Sequence, residues 1–237
     1  MMPSQSGSFH FFTFRGIHVS VHWAWFLVAA YQLQYRSREY TSPIWNACEY
    51  LALFAIVLLH EFGHALACRQ VGGTADRITL WPLGGVAFVS PPQRPGAILW
   101  SIAAGPLVNV ALLPVFHLAL GFIREAAWAS DDLVRCVFML GRINLGLLIF
   151  NMLPVYPLDG GQILQALLWF VIGRARSLFV VTAIGALAGV GILYWAWQTQ
   201  SLWIGLIGFF IIMQCKAGFL LAQQFAQIER AQRTRLS

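Results

Sequence analysis

Charge is what this 237-residue sequence has least of: Asp, Glu, Lys and Arg together make up 10% of it, against about 25% in an ordinary soluble domain. That shortage excludes a compact water-soluble fold of this size, which would need far more polar surface. It equally excludes a disordered chain, whose composition is polar and highly charged. Lysine is almost missing, one residue beside fourteen arginines, and no basic face wide enough for nucleic acid can be assembled from them. The four cysteines show no CxxC spacing, so neither a disulfide framework nor a thiolate metal site is indicated. The first 18 residues lack the charged start and small-residue cleavage site of a signal peptide and are expected to stay in the mature protein.

What the sequence does have is apolar mass: 59% hydrophobic residues, ten Trp and eighteen Phe, with a mean hydropathy of +0.68. The pattern predicts an all-α polytopic membrane protein. Apolar spans run at about 19–35, 44–69, 97–122, 133–173, 177–197 and 202–223, each reaching roughly the 20 residues that cross a hydrocarbon layer. The fourth is interrupted by Pro154-Val-Tyr-Pro157-Leu-Asp-Gly-Gly161, and the piece after the break, 162–173, is too short to cross alone. One long broken helix, and six spans in all, is therefore expected. With both termini inside, ten basic residues fall on inner segments against four outside (Arg36, Arg38, Arg124, Arg135), Arg142 lying within a span. That distribution follows the positive-inside bias. The expected organisation is one membrane domain over 1–237, with a core at 44–173 and peripheral helices at 19–35, 177–197 and 202–223.

Between the second and third spans, Gly72–Pro92 reads as a short membrane-associated β-hairpin. Its β-favouring runs, Arg77–Trp81 and Val86–Val89, flank Pro82-Leu-Gly-Gly85.

Inside the second span stands His60-Glu61-Phe62-Gly63-His64. On a helix, positions i and i+4 share a face, so both imidazoles can reach one ion. The intervening glutamate is then placed to handle a water at that ion. A carboxylate within LALFAIVLLHEFGHALA also costs a few kcal/mol to bury in a membrane, which a pair of ordinary core histidines would not explain. Two histidines leave a zinc site incomplete, since catalytic zinc usually has three protein ligands and an open position. Among acids in apolar segments, Glu49 lies about 16 Å of helix from His60, too far to join it. Asp159 sits in the break of the fourth span, where an unwound backbone can turn a carboxylate inward. It could also cap the helix that follows. Zn²⁺ with two neutral His and one Asp carries +1, and a hydroxide brings the cluster to zero, as a low-dielectric site requires.

HEFGHAL, SIAAGPLVN and FNMLPVYPLDGG, in this order, resemble the site-2 protease family of intramembrane zinc metalloproteases, and GIHVSVHW and LWPLGGVA are also similar to it. The likeness spans about Gly16 to Leu168. It implies that His60, His64 and Asp159 are metal ligands for one zinc ion per chain, that Glu61 is the catalytic residue, and that the site faces the cytoplasmic side. PDZ and CBS domains found in some members are not expected here.

Asn151, in FNMLP, suits either an oxyanion or substrate contact or a helix–helix hydrogen bond, and the resemblance favours the former. Gly84 and Gly85 would permit close approach of a substrate backbone, or simply make a tight turn. Asn109, with Gly105 and Pro106, is expected to bond across helices. His18 and His22 are expected at the membrane interface, and Asn144 carries no functional expectation. The function expected is endopeptidase cleavage of a transmembrane segment in another membrane protein, by zinc-activated water, in the cell membrane and with no nucleic-acid partner. A divalent-metal transporter using His and Asp in a broken helix, or an inactive family member, are the alternatives.

Overall fold

A computed structural model describes residues 7–35, 39–81 and 84–236. Arg36 and Arg38, counted with the outer loops, and Pro82 of the predicted turn lie outside the described residues. The element order is β1 (Ser8–Phe14), β2 (Ile17–His22), α1 (Ala24–Tyr35), α2 (Pro43–Gln70), β3 (Thr74–Trp81), β4 (Gly84–Ser90), α3 (Pro95–Glu125), α4 (Asp131–Asn151), α5 (Asp159–Ile172), α6 (Arg174–Thr199) and α7 (Leu202–Leu236). Five of these helices, α2, α3, α4, α6 and α7, are long and apolar enough to cross a membrane. The chain divides into two compact units, 1–92 with 103–149, and 93–102 with 150–237.

The first unit is built on a four-stranded sheet of order β1-β2-β3-β4. The hairpin expected after the second span is present as β3 and β4, paired antiparallel from Thr74↔Ser90 to Trp81↔Gly84. The sheet also takes in the N-terminal segment, which the sequence reading leaves as an arm followed by a span. The missed signal is SFHFFTF-RG-IHVSVH, two strand-forming runs around a two-residue turn. Arg15 and Gly16 both have positive φ, 48° and 73°, as a type I′ hairpin turn demands. The predicted span 19–35 is thus divided between β2 and α1, and α1 has 12 residues, about 18 Å of helix. A 30 Å hydrocarbon layer needs more.

Parallel pairing of β2 with β3, from His18↔Arg77 to Val21↔Leu80, creates one buried layer. Ile17, Val19 and Val21 of β2 and Ile78 and Leu80 of β3 pack with Val57, Ala65 and Cys68 of α2. Full burial of side chains of this kind is worth about 1.5–3 kcal/mol each, so the sheet fixes the C-terminal half of α2. Arg69 near the end of α2 donates to the carbonyls of Arg15 and Gly16 in the β1–β2 turn. Helix α2 starts at an N-cap, Ser42 accepting from the Ile44 N–H with Pro43 following. It stops where Gly72, at φ 86°, turns the chain into β3. His18 lies beside Thr13 (3.0 Å). His22 is buried, its ring stacked on Trp81 at 3.9 Å.

The second unit is dominated by α6 and α7. Small residues let these helices meet closely: a Cβ on Gly189 would stand 2.7 Å from Ile212, and one on Gly218 2.5 Å from Thr182. Tyr156, from the segment before α5, wedges between them against Gly185 and Gly218, and its carbonyl accepts from the Cys215 thiol at 3.4 Å. At the other end of α5, Arg174 lies over the Phe225 ring at 3.6 Å and bonds the Gln93 side chain.

Large apolar side chains point outward along the long helices, among them Leu118, Phe122, Leu187 and Leu202. An apolar exterior of this extent is what a lipid surrounding accommodates and water does not.

Candidate metal centre and active site

Helix α2 is unbroken through the HExxH segment, so His60 and His64 emerge on one face, both buried. Their Nε2 atoms are 3.1 Å apart. Two nitrogens each about 2.0–2.1 Å from a single tetrahedral ion would be separated by about 3.3 Å. The pair is therefore spaced as two ligands of one metal.

The neighbouring helix leaves room for this. A Cβ on Gly63 would meet the Ala104 carbonyl at 2.6 Å, and a Cβ on Gly105 would meet His64 Nε2 at 2.3 Å. Only glycine at both positions lets the α2 and α3 backbones approach with the His64 ring between them. Asn109, one turn further along α3, has Oδ1 2.6 Å from His60 Nδ1. Its Nδ2 donates to Asn144 Oδ1 at 2.8 Å, and Asn144 Nδ2 donates to the Asn109 carbonyl at 2.9 Å. Asn109 does bond across helices as expected, and one of its partners is a candidate ligand. Asn144, given no role by the sequence reading, is the far end of that chain. Its only signal in the sequence is a polar side chain in an apolar span, which says nothing about its partner.

Glu61 is 6% exposed. Its Oε2 accepts from the Ala87 N–H of β4 at 2.9 Å. Gly85 of the same strand lies so close that a Cβ there would fall 2.2 Å from Glu61 Cγ. Ala87 thus contributes through its main chain, which leaves no trace in residue type. Gly85 does come to the centre, but against Glu61; Gly84, at φ 138°, has open space around it.

Asp159 and Asn151 belong to the second unit. Asn151 is the last residue of α4 and half-buried. Asp159 is the first residue of α5, after Leu158 at the N-cap position, where the helix dipole favours a negative charge. Tight turns lead into it. Cβ atoms on Gly160 and Gly161 would come 2.3 Å from the Met152 carbonyl oxygen and 2.6 Å from the Val155 carbonyl carbon. The Gln162 side chain donates to the Pro157 carbonyl at 2.9 Å, so both glycines and a glutamine hold the break closed upon α5. Arg142 sits over the Phe138 ring at 5.8 Å.

Comparison with known proteins gives the same direction. The model of "Peptidase family M50" matches residues 49–125 and 119–195. Zinc metalloprotease MJ0392 of Methanocaldococcus jannaschii is 28% identical over 206 residues, covering 86% of this chain and 58% of the relative. Stage IV sporulation protein FB of Bacillus subtilis is 32% identical over 123 residues, covering 48% of this chain and 38% of the relative. The chain spans about half the length of the curated relatives it matches. Among solved structures, the site-2 protease from Methanocaldococcus jannaschii superposes with a TM-score of 0.64 at 27% identity, covering 90% of this chain and 95% of that one. The matched stretch takes in α2 from Glu49 onward and runs past α5. With five membrane-length helices, one of them bearing HExxH, the chain is an integral membrane protein, and it belongs to peptidase family M50.

Proposed function

We propose that the chain is an intramembrane zinc endopeptidase that cleaves a transmembrane segment of another membrane protein. His60, His64 and Asp159 hold one zinc ion in this reading, and Glu61 is the catalytic residue. The observation that carries it is the 3.1 Å spacing of the two buried Nε2 atoms with a buried glutamate beside them on the same helix. Zinc, the metal in the name of MJ0392, would supply Lewis acidity that makes water nucleophilic near neutral pH and polarises a peptide carbonyl. The chain's own residues do the rest. Glu61 takes a proton from the attacking water and returns it to the leaving amine, while the Ala87 N–H holds Oε2 and so aims the carboxylate.

A helical substrate hides its carbonyls in its own hydrogen-bond ladder and must be extended before attack. β4 is an edge strand, and an extended segment added beside it would run past Gly84 and Gly85 and close to Glu61. Asn151 would donate to the developing oxyanion or to the substrate backbone. The arginine distribution supports cytoplasmic termini and an active site towards the cytoplasmic face of the cell membrane. Reporters fused within 72–92 and after Arg235 should both read inside; an outside C-terminus would refute that orientation.

The deciding test uses purified protein in lipid with single-span substrates. Glu61→Gln should bind zinc as the parent does and lose at least ~10²-fold in cleavage, the size of a general-base contribution. A metal transporter would instead carry zinc across proteoliposomes and release no peptide from either form.

A further inference from the structure

The geometry points to Asn144 as a positioning residue that fixes, through Asn109, the tautomer in which His60 offers Nε2 to a metal. The inference rests on the reading of His60 as a ligand and adds how that ligand is prepared.

The Asn109 backbone carbonyl can only accept, so the amide end of Asn144 that meets it at 2.9 Å is Nδ2. The other end of Asn144 is then Oδ1, and it faces Asn109 at 2.8 Å. An oxygen there requires a donor, so Asn109 presents Nδ2 to Asn144 and keeps Oδ1 for His60, 2.6 Å from Nδ1. An amide oxygen cannot donate, so Nδ1 carries the proton. A neutral imidazole has one N–H, so Nε2 keeps its lone pair, and Nε2 is the atom that faces His64. One backbone carbonyl on α3 thus determines, through two side-chain amides, which nitrogen on α2 is available.

Burial gives the chain its force. Asn109 and Asn144 are both 0% exposed, so no bulk water stands by to replace a lost partner. Turning the Asn109 amide over would set its oxygen against Asn144 Oδ1 and its NH₂ against His60 Nδ1. Two acceptors would then face each other without a proton, and a buried polar group would be left unsatisfied. With Asn144 replaced by an apolar residue, that obstacle goes. Asn109 is then free to donate to Nδ1, which places the imidazole proton on Nε2 and blocks it as a ligand. Partners of this kind, which orient a ligand without touching the metal, typically change metal affinity about 10–100-fold.

The test reads the tautomer in metal-free protein, apart from any activity. Long-range proton–nitrogen NMR on histidine-labelled protein in nanodiscs, with the His60 signal identified by its loss in His60→Gln, should show the Nδ1–H form in the parent. Asn144→Leu should shift His60 towards the Nε2–H form and weaken zinc binding about 10–100-fold; Asn144→Ala serves if leucine prevents folding. Asn109→Asp presents only acceptor oxygens to His60, so the double variant Asn109→Asp/Asn144→Leu should restore both the tautomer and the affinity. A general packing role for Asn144 would not be rescued in this way. An Nε2–H form in the parent, or an Nδ1–H form that survives loss of the Asn144 amide, overturns the proposal. Unchanged zinc binding in His60→Gln would instead overturn the ligand assignment and leave the tautomer measurement standing.

Discussion

The two parts of the chain that carry the candidate ligands place a polar group in apolar surroundings by opposite means. On α2 the backbone is regular, and position comes from side chains: Asn109 on the His60 ring, the β4 amide on Glu61, and bare glycine at 105 beside His64. At Asp159 the backbone itself is irregular, and position comes from main-chain packing, with Gly160 and Gly161 pressed on residues 152–156 and Tyr156 wedged between α6 and α7. A regular helix in an apolar medium has its own backbone hydrogen bonds satisfied, so its polar side chains need polar neighbours. A broken helix frees backbone groups, so it needs glycines, a glutamine and a thiol to close around them.

The sharpest way to break this comparison is to ask whether both regions serve one ion. His64→Ala and Asp159→Ala should each reduce zinc content nearly to zero by elemental analysis, because two remaining ligands hold the ion poorly. Full occupancy in Asp159→Ala would detach the second region from the metal.

A smaller effect separates position from ligation within the first region. Gly85→Ala puts a methyl group where Glu61 Cγ and Cδ lie, 2.2 and 2.5 Å away, and displaces the carboxylate from the Ala87 amide. Zinc content should be unchanged while cleavage falls about 10²-fold, the same order as loss of the base itself. Parent-like cleavage in this variant would mean that the β4 contact does not set the catalytic geometry.

The mildest prediction concerns the second region. Gly218→Ala would crowd Thr182 at 2.5 Å and the Tyr156 ring at 2.9 Å. It should cost about 1–3 kcal/mol, as overpacking does, read as a lower unfolding temperature in detergent. Zinc affinity should fall with it, since Tyr156 is three residues from Asp159; stability lost with zinc affinity kept would show that the α6–α7 wedge does not position the carboxylate.

Much of the first region is legible in the sequence, because helical periodicity is a local property. His60 and His64 are four apart in an apolar run, and α2 must present them on one face whatever surrounds it. The β3–β4 hairpin is legible for the same reason, each strand being a short β-favouring run. The β1–β2 hairpin is also local, yet its apolar residues run directly into those of α1, and hydropathy alone merges them into one span. The Asp159 break can be located from its prolines and glycines, but the manner of its closure cannot.

Composition and spacing by themselves determined that this is a helical membrane protein with an HExxH pair on a buried helix and an acid in a broken one. Both follow from how few polar groups such a chain carries, since each must then have a use. Only the tertiary structure decided that Asn144 and Asn109 reach His60, that an amide of β4 holds Glu61, and that Tyr156 anchors the turn before Asp159. Those contacts join residues from 26 to 62 positions apart in sequence, and their partners are main-chain groups or common amides. No residue type or period marks them; they exist only once the helices and the sheet have packed.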